Sequence, residues 1–251
     1  MIRLDLGCDQ SKRLQSWRKF VWNGEDMSDW KRFKYRTLRR VPGFIGRKYK
    51  AKYELHGTSW RFLDAVNSTS GMISIDLGAN IGEYSQILAK RAKRVYAFEP
   101  DPWALEQLRA NTAHLDNVEI IEAAAGTCEA SVKLYRHPEF ADDPIMNSQS
   151  SSVVSDKSNI SRNDYFEVPQ VDVIEFMRNL DQDVGVLKVD IEGAEVDLFE
   201  KLFYEPDVLS KIHYIFAETH EGKITGHIPR VAALKARAEQ IKRPVIDLTW
   251  H

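Results

Sequence analysis

The sequence has very little cysteine and no long apolar run. Only Cys8 and Cys128 occur among its 251 residues, so neither a disulfide framework nor a cysteine-rich zinc site is expected. No stretch approaches the roughly 18 apolar residues that are needed to span a bilayer. The first residues, MIRLDLGCDQ, lack the apolar segment of a secretory signal. We therefore expect a cytoplasmic protein.

Charge is distributed unevenly along the chain. Residues 1–52 contain 15 Lys and Arg against 5 Asp and Glu, a balance of +10, so the formal net charge of −2 leaves −12 for the remainder. This basic, aromatic-rich part is either a helical extension packed on the main domain or a peripheral contact with an anionic membrane or lipid-linked glycan. No nucleic-acid-binding module accompanies it, so we expect no nucleic-acid partner. No feature predicts the oligomeric state.

From residue 71 the chain alternates between two kinds of pattern. Helical patterns separate the apolar runs MISIDL, RVYAFE, VEIIEAAA, VGVLKVDI and IHYIFAE, which predict buried strands. This alternation predicts an α/β fold with a doubly wound, mostly parallel sheet. We expect a basic, helical extension over residues 1–70 and the α/β domain over 71–251. The serine-rich stretch 136–164 is predicted to be a loop that is either functional or disordered.

One predicted strand–turn–helix has the residues of a nucleoside site. The stretch ISIDLGANIGEYS places glycines where the backbone can approach a ligand and where a helix N-terminus offers free N–H groups. The G-x-G-x-x-G triplet of dinucleotide sites is missing, which disfavours a dehydrogenase. Asp76, two residues before Gly78, suits the sulfonium and amino groups of S-adenosylmethionine.

The next two strands extend this site. Glu99 ends the second strand, where an acid can accept hydrogen bonds from both ribose hydroxyls. Small residues in EAAAG follow the third strand and leave room for an adenine ring. The predicted cofactor-binding residues are Asp76, Gly78, Asn80, Gly82, Tyr84, Glu99 and Ala124.

Four stretches together resemble the FkbM family of S-adenosylmethionine-dependent methyltransferases: IDLGANIGEYS, VYAFEPDP, LKVDIEGAEVDLFE and IFAETHE. The resemblance runs from about Gly71 to Glu221 and does not include the basic N-terminal part. It implies a class I methyltransferase fold of the Rossmann-like type. It also implies O-methylation, commonly of sugar hydroxyls in polysaccharides, glycolipids or secondary metabolites. A peptide or lipid acceptor and a non-catalytic nucleoside-binding module are the alternatives.

A second group of polar residues follows buried strands. In a methyltransferase-type sheet, the strands that end near Asp76, Asp190 and Glu218 are neighbours, so their tips meet in one crevice. A carbohydrate-containing acceptor needs a base near its hydroxyl, and we expect His220 first, then Glu218, then Asp190, because a neutral imidazole has a suitable pKa. Lys188 is expected to pair with one of these acids or to touch substrate. The predicted catalytic residues are Lys188, Asp190, Glu192, Glu218 and His220.

The same acids and histidine raise the alternative of a divalent metal. A hard cation such as Mg²⁺ prefers oxygen ligands and can lower the pKa of a bound hydroxyl. Some metal-dependent sugar methyltransferases have an Asp-Asp pair at the end of the last of these strands, and this sequence has none there. A metal is therefore not favoured, and no metal ligand is assigned. The serine-rich segment 147–163 is expected to be mobile without substrate and to cover the acceptor.

Overall fold

The computed structural model describes residues 34, 37, 38, 59–161 and 163–250. Thr58–His251 forms one compact unit. Apart from residues 34, 37 and 38, the basic stretch 1–52 lies outside the described residues. Its predicted contact with an anionic surface therefore stays a prediction.

Most strands of this unit belong to one parallel sheet. In chain order, β1 to β9 are Ile73–Leu77, Arg94–Phe98, Val118–Ile121, Ala124–Gly126, Ala130–Tyr135, Tyr165–Asp172, Val184–Val189, Ile212–Ala217 and Val245–Asp247. Six of them form a sheet in the order β3-β2-β1-β7-β8-β9, with every neighbouring pair parallel. The central strands β1 and β7 are buried along their whole length, as expected when helices cover both faces.

Helices pack on both faces of this sheet. In chain order, α1 to α8 are 59–68, Glu83–Ala89, Pro102–Thr112, Pro144–Asn147, Val173–Arg178, Glu195–Leu202, Pro206–Ser210 and His227–Ala238. Because successive side chains of a strand point to opposite faces, Leu187 of β7 packs with α5 to α8, whereas Val186 packs with α1 and α2. The predicted doubly wound α/β fold is confirmed. Among the described residues, no helix combines the length and the apolar character needed to cross a membrane.

Capping residues determine where two of these helices begin. The Asp101 carboxylate accepts hydrogen bonds from the N–H groups of Trp103 and Ala104, and a proline occupies the first position of α3. At the start of α5, Asp172 accepts from two backbone N–H groups in the same way. Such side chains satisfy donors that the first turn of a helix leaves without partners.

The helix α1 is part of the core of this unit. Its Phe62 packs edge-on against Tyr84 and Phe216 and lies beside Trp250, with ring centroids 5.2–5.6 Å apart. The core therefore includes a helix that precedes residue 71, where the sequence pattern predicts the domain to begin. The strand–helix alternation starts only at β1, and a helix ahead of it is recruited by tertiary packing that the pattern does not show.

A second, smaller sheet was not expected. Its order is β4-β6-β5, with β4 parallel and β5 antiparallel to β6. The run VEIIEAAA, predicted as one strand, is divided between β3 in the large sheet and β4 in the small one. The predicted loop follows β5, and between residues 136 and 161 it contains only the short helix α4 and the 3₁₀ turn Ser148–Ser150 as helical structure.

The register of the large sheet aligns the tips of three strands. Leu77 of β1 pairs with Val189 of β7, and Val189 pairs with Ala217 of β8. The residues that follow β7 and β8 are Asp190 and Glu218, so they leave the sheet at the same edge as the turn after β1. This is the convergence that the sequence predicts.

Candidate active site

A cavity of about 370 Å³ opens at the carboxyl edge of the large sheet. It lies where the strand order reverses between β1 and β7, the usual ligand position in a doubly wound sheet. Its size falls in the range of small-molecule sites, roughly 300–1,000 Å³. The predicted site residues that line it are Gly78, Asn80, Tyr84, Glu99, Ala124, Lys188, Asp190, Glu192 and Glu218. The predicted residues Asp76, Gly82 and His220 are not part of its lining.

The turn between β1 and α2 needs its glycines for packing. Gly78 has a φ of 76°, and a Cβ there would lie 1.8 Å from the Asp190 carbonyl oxygen, so glycine allows the tips of β1 and β7 to touch. Gly82 has a φ of 88°, and its Cβ would lie 2.6 Å from Leu108 Cδ1 in α3. Gly82 therefore brings α2 against α3 and does not face the cavity.

Glu99, directly after β2, is a buried acid in the cavity wall. Its Oε2 accepts a hydrogen bond from the Asn80 N–H at 2.8 Å, and its Oε1 accepts one from the Asp101 N–H at 2.8 Å. Each carboxylate oxygen can accept one more hydrogen bond. Burial raises the pKa of Glu99 to about 7, although both N–H groups favour the ionised form.

Lys188 makes a buried ion pair, but its nearest carboxylate is Asp76 and not one of the acids that follow β7 and β8. Its Nζ lies 3.1 Å from Asp76 Oδ1 and donates to the Gly78 carbonyl at 2.7 Å. The other oxygen of Asp76 accepts the Ser85 hydroxyl at 2.6 Å. Burial alone would lower the pKa of Lys188, but Asp76 and Asp190 raise it above its usual value. Asp76 thus neutralises the buried Lys188 ammonium and does not itself line the cavity.

Asp190 presents an unused hydrogen-bond acceptor. Its Oδ1 is buried, accepts no hydrogen bond and lies 3.8 Å from His220 Nε2, while its Oδ2 lies 3.8 Å from Lys188 Nζ. Burial raises the pKa of Asp190 to about 6, and Lys188 opposes that shift. Glu218 lies on the same wall, with its side chain 38% exposed. Of these two neighbouring acids, Asp190 is the less exposed, with 28% of its side chain accessible.

His220 is held between two carboxylates. Its backbone N–H and its Nδ1 both lie 2.9 Å from Glu195 Oε1, and its Nε2 lies 3.3 Å from Glu192 Oε2. Burial alone would lower the pKa of His220, but the two acids raise it to about 10. The ring is therefore an imidazolium near pH 7, which removes the reason for placing His220 first among the candidate bases.

Three neighbouring side chains come close enough to share a cation. Ligand atoms of Asp190, Glu218 and His220 lie within 4.8 Å of one another. The Asp190 oxygen that accepts no hydrogen bond suits a hard divalent cation. His220 suits it poorly, because a metal would have to displace a ring proton that Glu192 and Glu195 hold in place. The donor set thus fits a metal only in part.

The predicted loop forms one wall of the cavity. Lining residues run from Ser148 to Val153. The Ser148 hydroxyl donates to Asn80 Oδ1 at 3.1 Å, and the Ser152 hydroxyl donates to the Glu192 carbonyl at 2.6 Å. These contacts join the segment to the turns that follow β1 and β7.

Three residues of this region were missed by sequence reasoning. Glu195 is fully buried and holds His220, Ser85 holds Asp76, and Lys157 pairs with Glu192 at 2.6 Å. Glu195 stands in the stretch LKVDIEGAE, so its position was visible although its partner was not. Ser85 stands in the glycine-turn stretch. Lys157 lies in the serine-rich loop, and no local pattern marks it.

The order of the parallel sheet, the glycine turn after β1 and the acid after β2 define a Rossmann-like methyltransferase domain. The family described as the methyltransferase FkbM domain matches residues 76–233. This match covers more than half of the chain, and the chain belongs to the FkbM methyltransferase family.

Other similarities are weaker or shorter. The ribosomal RNA small subunit methyltransferase A of Koribacter versatilis (strain Ellin345) is 36% identical over 74 residues, which are 30% of this chain and 26% of that protein. The chain thus spans about a quarter of that relative's length. The solved FkbM methyltransferase of Methylobacillus flagellatus KT has 15% identity and a TM-score of 0.35, covering 76% of this chain and 48% of that one. A Streptococcus mutans protein in complex with SAH has 12% identity and a TM-score of 0.31, covering 74% and 66%. At such TM-scores neither structure bears on function.

We predict that Lys188→Met destabilises the fold, because it leaves the Asp76 carboxylate buried without its ammonium. Breaking a buried pair by removing one partner costs about 3–5 kcal/mol. Urea unfolding should therefore show a lower midpoint with an unchanged slope. The double variant Asp76→Asn/Lys188→Met removes both charges and should recover part of the loss. A Lys188→Met variant as stable as the wild type would contradict the ion pair.

Proposed function

We propose that this protein is an S-adenosylmethionine-dependent O-methyltransferase that acts on a hydroxyl of a carbohydrate-containing acceptor. The observation that carries the proposal is a buried oxygen of Asp190 that accepts no hydrogen bond, in the wall of a cavity at the strand switch point. S-adenosylmethionine, when bound, supplies the methyl group for an in-line displacement by the acceptor oxygen. Much of the acceleration in such a reaction comes from positioning the two reactants.

The cofactor end of the cavity is assigned to the residues around the glycine turn. Glu99 has one unused acceptor position on each oxygen, which suits the two hydroxyls of a ribose. Ala124 is small and buried beside the wall, which suits a planar base. Gly78, Asn80 and Tyr84 complete this side, while Asp76 and Gly82 support it from behind.

We assign to Asp190 the role of the base that removes the proton from the acceptor hydroxyl. With a pKa of about 6 it is ionised near pH 7 and still basic enough to accept a proton. Lys188 lies beside its second oxygen and limits the orientations of the carboxylate. His220 is a cation here and is assigned to holding Glu192 and to balancing the surrounding acids.

The wall of the cavity that residues 148–153 form supports a polar acceptor. Residues 148–152 supply four serines and a glutamine to the lining, and such groups match the donors and acceptors of a sugar. The acids Asp190, Glu192 and Glu218 on the facing wall would repel a polyanion. This arrangement disfavours RNA, on which the Koribacter versatilis relative acts by its name. A peptide or lipid acceptor and a non-catalytic nucleoside-binding module are the competing functions.

The proposed function is tested with methyl-labelled S-adenosylmethionine and a glycan extract of the source cells. We expect label in a sugar, at an oxygen, with the same yield when EDTA is present. Loss of label in EDTA and its return with Mg²⁺ would support the metal-assisted alternative. Label that appears only in peptide, lipid or RNA would overturn the carbohydrate assignment. No label at all, with S-adenosylhomocysteine still bound, would indicate a binding module.

We predict that S-adenosylhomocysteine binds more weakly at pH 6 than at pH 8. Without cofactor, the Glu99 carboxyl has a pKa of about 7. Lowering the pH through that value therefore protonates the group that must accept hydrogen bonds from two ribose hydroxyls. The ionised fraction falls about tenfold over this range, and affinity should fall with it. Calorimetry measures both values. Glu99→Gln does not titrate and should bind weakly at both pH values, whereas an unchanged pH dependence in that variant would rule out the ribose assignment.

We predict that Asp190→Asn lowers turnover by about 10²–10⁴-fold, the usual contribution of a general base. Affinity for S-adenosylhomocysteine should change little, because Asp190 is assigned to the acceptor side. Rates of labelled methyl transfer and calorimetry separate the two effects. The matched control is Asp116→Asn, the same change at an exposed turn. Turnover equal to that of the control would place the base elsewhere.

A further inference from the structure

A buried cation joins the serine-rich segment to the site. The side chain of Lys157 is completely inaccessible, and its Nζ lies 2.6 Å from Glu192 Oε2. The same ammonium donates to the Ser150 carbonyl at 2.7 Å. An ammonium group is costly to bury without a carboxylate partner. The position of this part of the segment therefore depends on Glu192.

The surface that receives Lys157 is held in a defined shape. Glu192 has a φ of 55°, which is uncommon for a residue other than glycine. The following Gly193 has a φ of 115°, and a Cβ there would lie 2.1 Å from the Ile224 side chain. The turn after β7 is therefore fixed against the loop after β8, and it presents the Glu192 carboxylate in one direction.

Further contacts on either side of Lys157 hold the segment against the turn after β7 and the loop after β8. The Ser158 N–H donates to the Lys223 carbonyl at 3.0 Å, and Lys157 forms an isolated antiparallel bridge with Ile224. On the N-terminal side, the Ser152 hydroxyl donates to the carbonyl of Glu192 itself. The serines that line the cavity, Ser148 and 150–152, lie at and before the Ser152 contact, and Lys157 reaches them through the Ser150 carbonyl.

We propose that Lys157 is a positioning residue that fastens the segment 148–158 to Glu192 and thereby forms the acceptor side of the cavity. The proposal rests on the proposed function, since it takes the space beneath this segment to be the acceptor subsite. The serine hydroxyls can contact an acceptor only while the segment is docked. Acceptor affinity is therefore coupled to a contact that lies outside the cofactor end.

Loss of Lys157 would act on the segment more than on Glu192. Without it, the Glu192 carboxylate still has His220 Nε2 at 3.3 Å and Lys223 Nζ at 3.6 Å. The acid is thus not left as an unpaired buried charge. The segment, by contrast, loses an ion pair and the donor to its own Ser150 carbonyl.

Hydrogen–deuterium exchange of Lys157→Met tests the docking without any acceptor. We expect backbone amides of 148–158 to exchange at least about tenfold faster than in the wild type, as for a segment that opens more often. Lys157→Arg keeps the charge and should restore much of the protection. Lys242→Met, the same change at an exposed lysine, should leave these amides unaffected. Unchanged exchange in Lys157→Met would overturn the proposal. If that variant does not fold, Glu192→Gln, which neutralises the partner, must accelerate exchange in the same segment.

The expected effect on acceptor affinity is tested by methyl transfer to the glycan fraction that the wild-type protein labels. We expect KM for that fraction to rise about tenfold in Lys157→Met, with a smaller change in kcat and with rescue by Lys157→Arg. A fall in kcat at constant KM would contradict a role in forming the acceptor subsite. If the wild type labels no fraction, the proposed function fails, whereas the exchange experiment still decides whether Lys157 docks the segment.

Discussion

The ion pair between Lys188 and Asp76 is the interaction on which the rest of the site depends. A lysine in the middle of a buried parallel strand is tolerated only if its charge is compensated. Here Asp76 supplies the charge from the neighbouring strand, and the Gly78 carbonyl accepts a further hydrogen bond. The pair thus joins β1 to β7 across the switch point. It also places Asp190, the residue that follows β7, beside a permanent positive charge.

From this pair outward, acids and bases alternate, and the pKa values of three of the acids are shifted in different directions or by different amounts. Glu192 has its pKa lowered to about 2 because His220 and Lys157 outweigh its burial. Asp190 and Glu99 have theirs raised to about 6 and about 7, since burial outweighs their partners. Three carboxyl groups on one cavity are therefore separated by environment into a permanent anion and two groups that titrate near neutrality. This separation is what gives one cavity both fixed charges and a group that can accept a proton.

Sequence reasoning succeeded where a residue's place follows from strand order. The convergence of residues after β1, β7 and β8 requires only a parallel sheet and its topology, and the burial of Lys188 follows from the apolar run around it. It did not reach what depends on distant partners. The charge of His220 depends on Glu195 and Glu192. Glycine is needed at position 82 because a leucine of α3 packs there. The run VEIIEAAA is divided because its second half joins another sheet. Lys157 reaches Glu192 only through a long loop, and loops carry no periodic signal.

The aromatic contact between Phe62 and Trp250 has a consequence for how the chain folds during synthesis. Phe62 lies in the helix that precedes β1, and Trp250 follows the edge strand β9, yet the two rings pack beside Tyr84 on one face of the sheet. Tyr84 is itself a cavity residue. This face cannot close until the ribosome has released residue 250, so until then the nascent chain carries an uncovered aromatic surface and an incomplete cavity wall. Such non-local closure delays folding and leaves the emerging chain dependent on protection from aggregation.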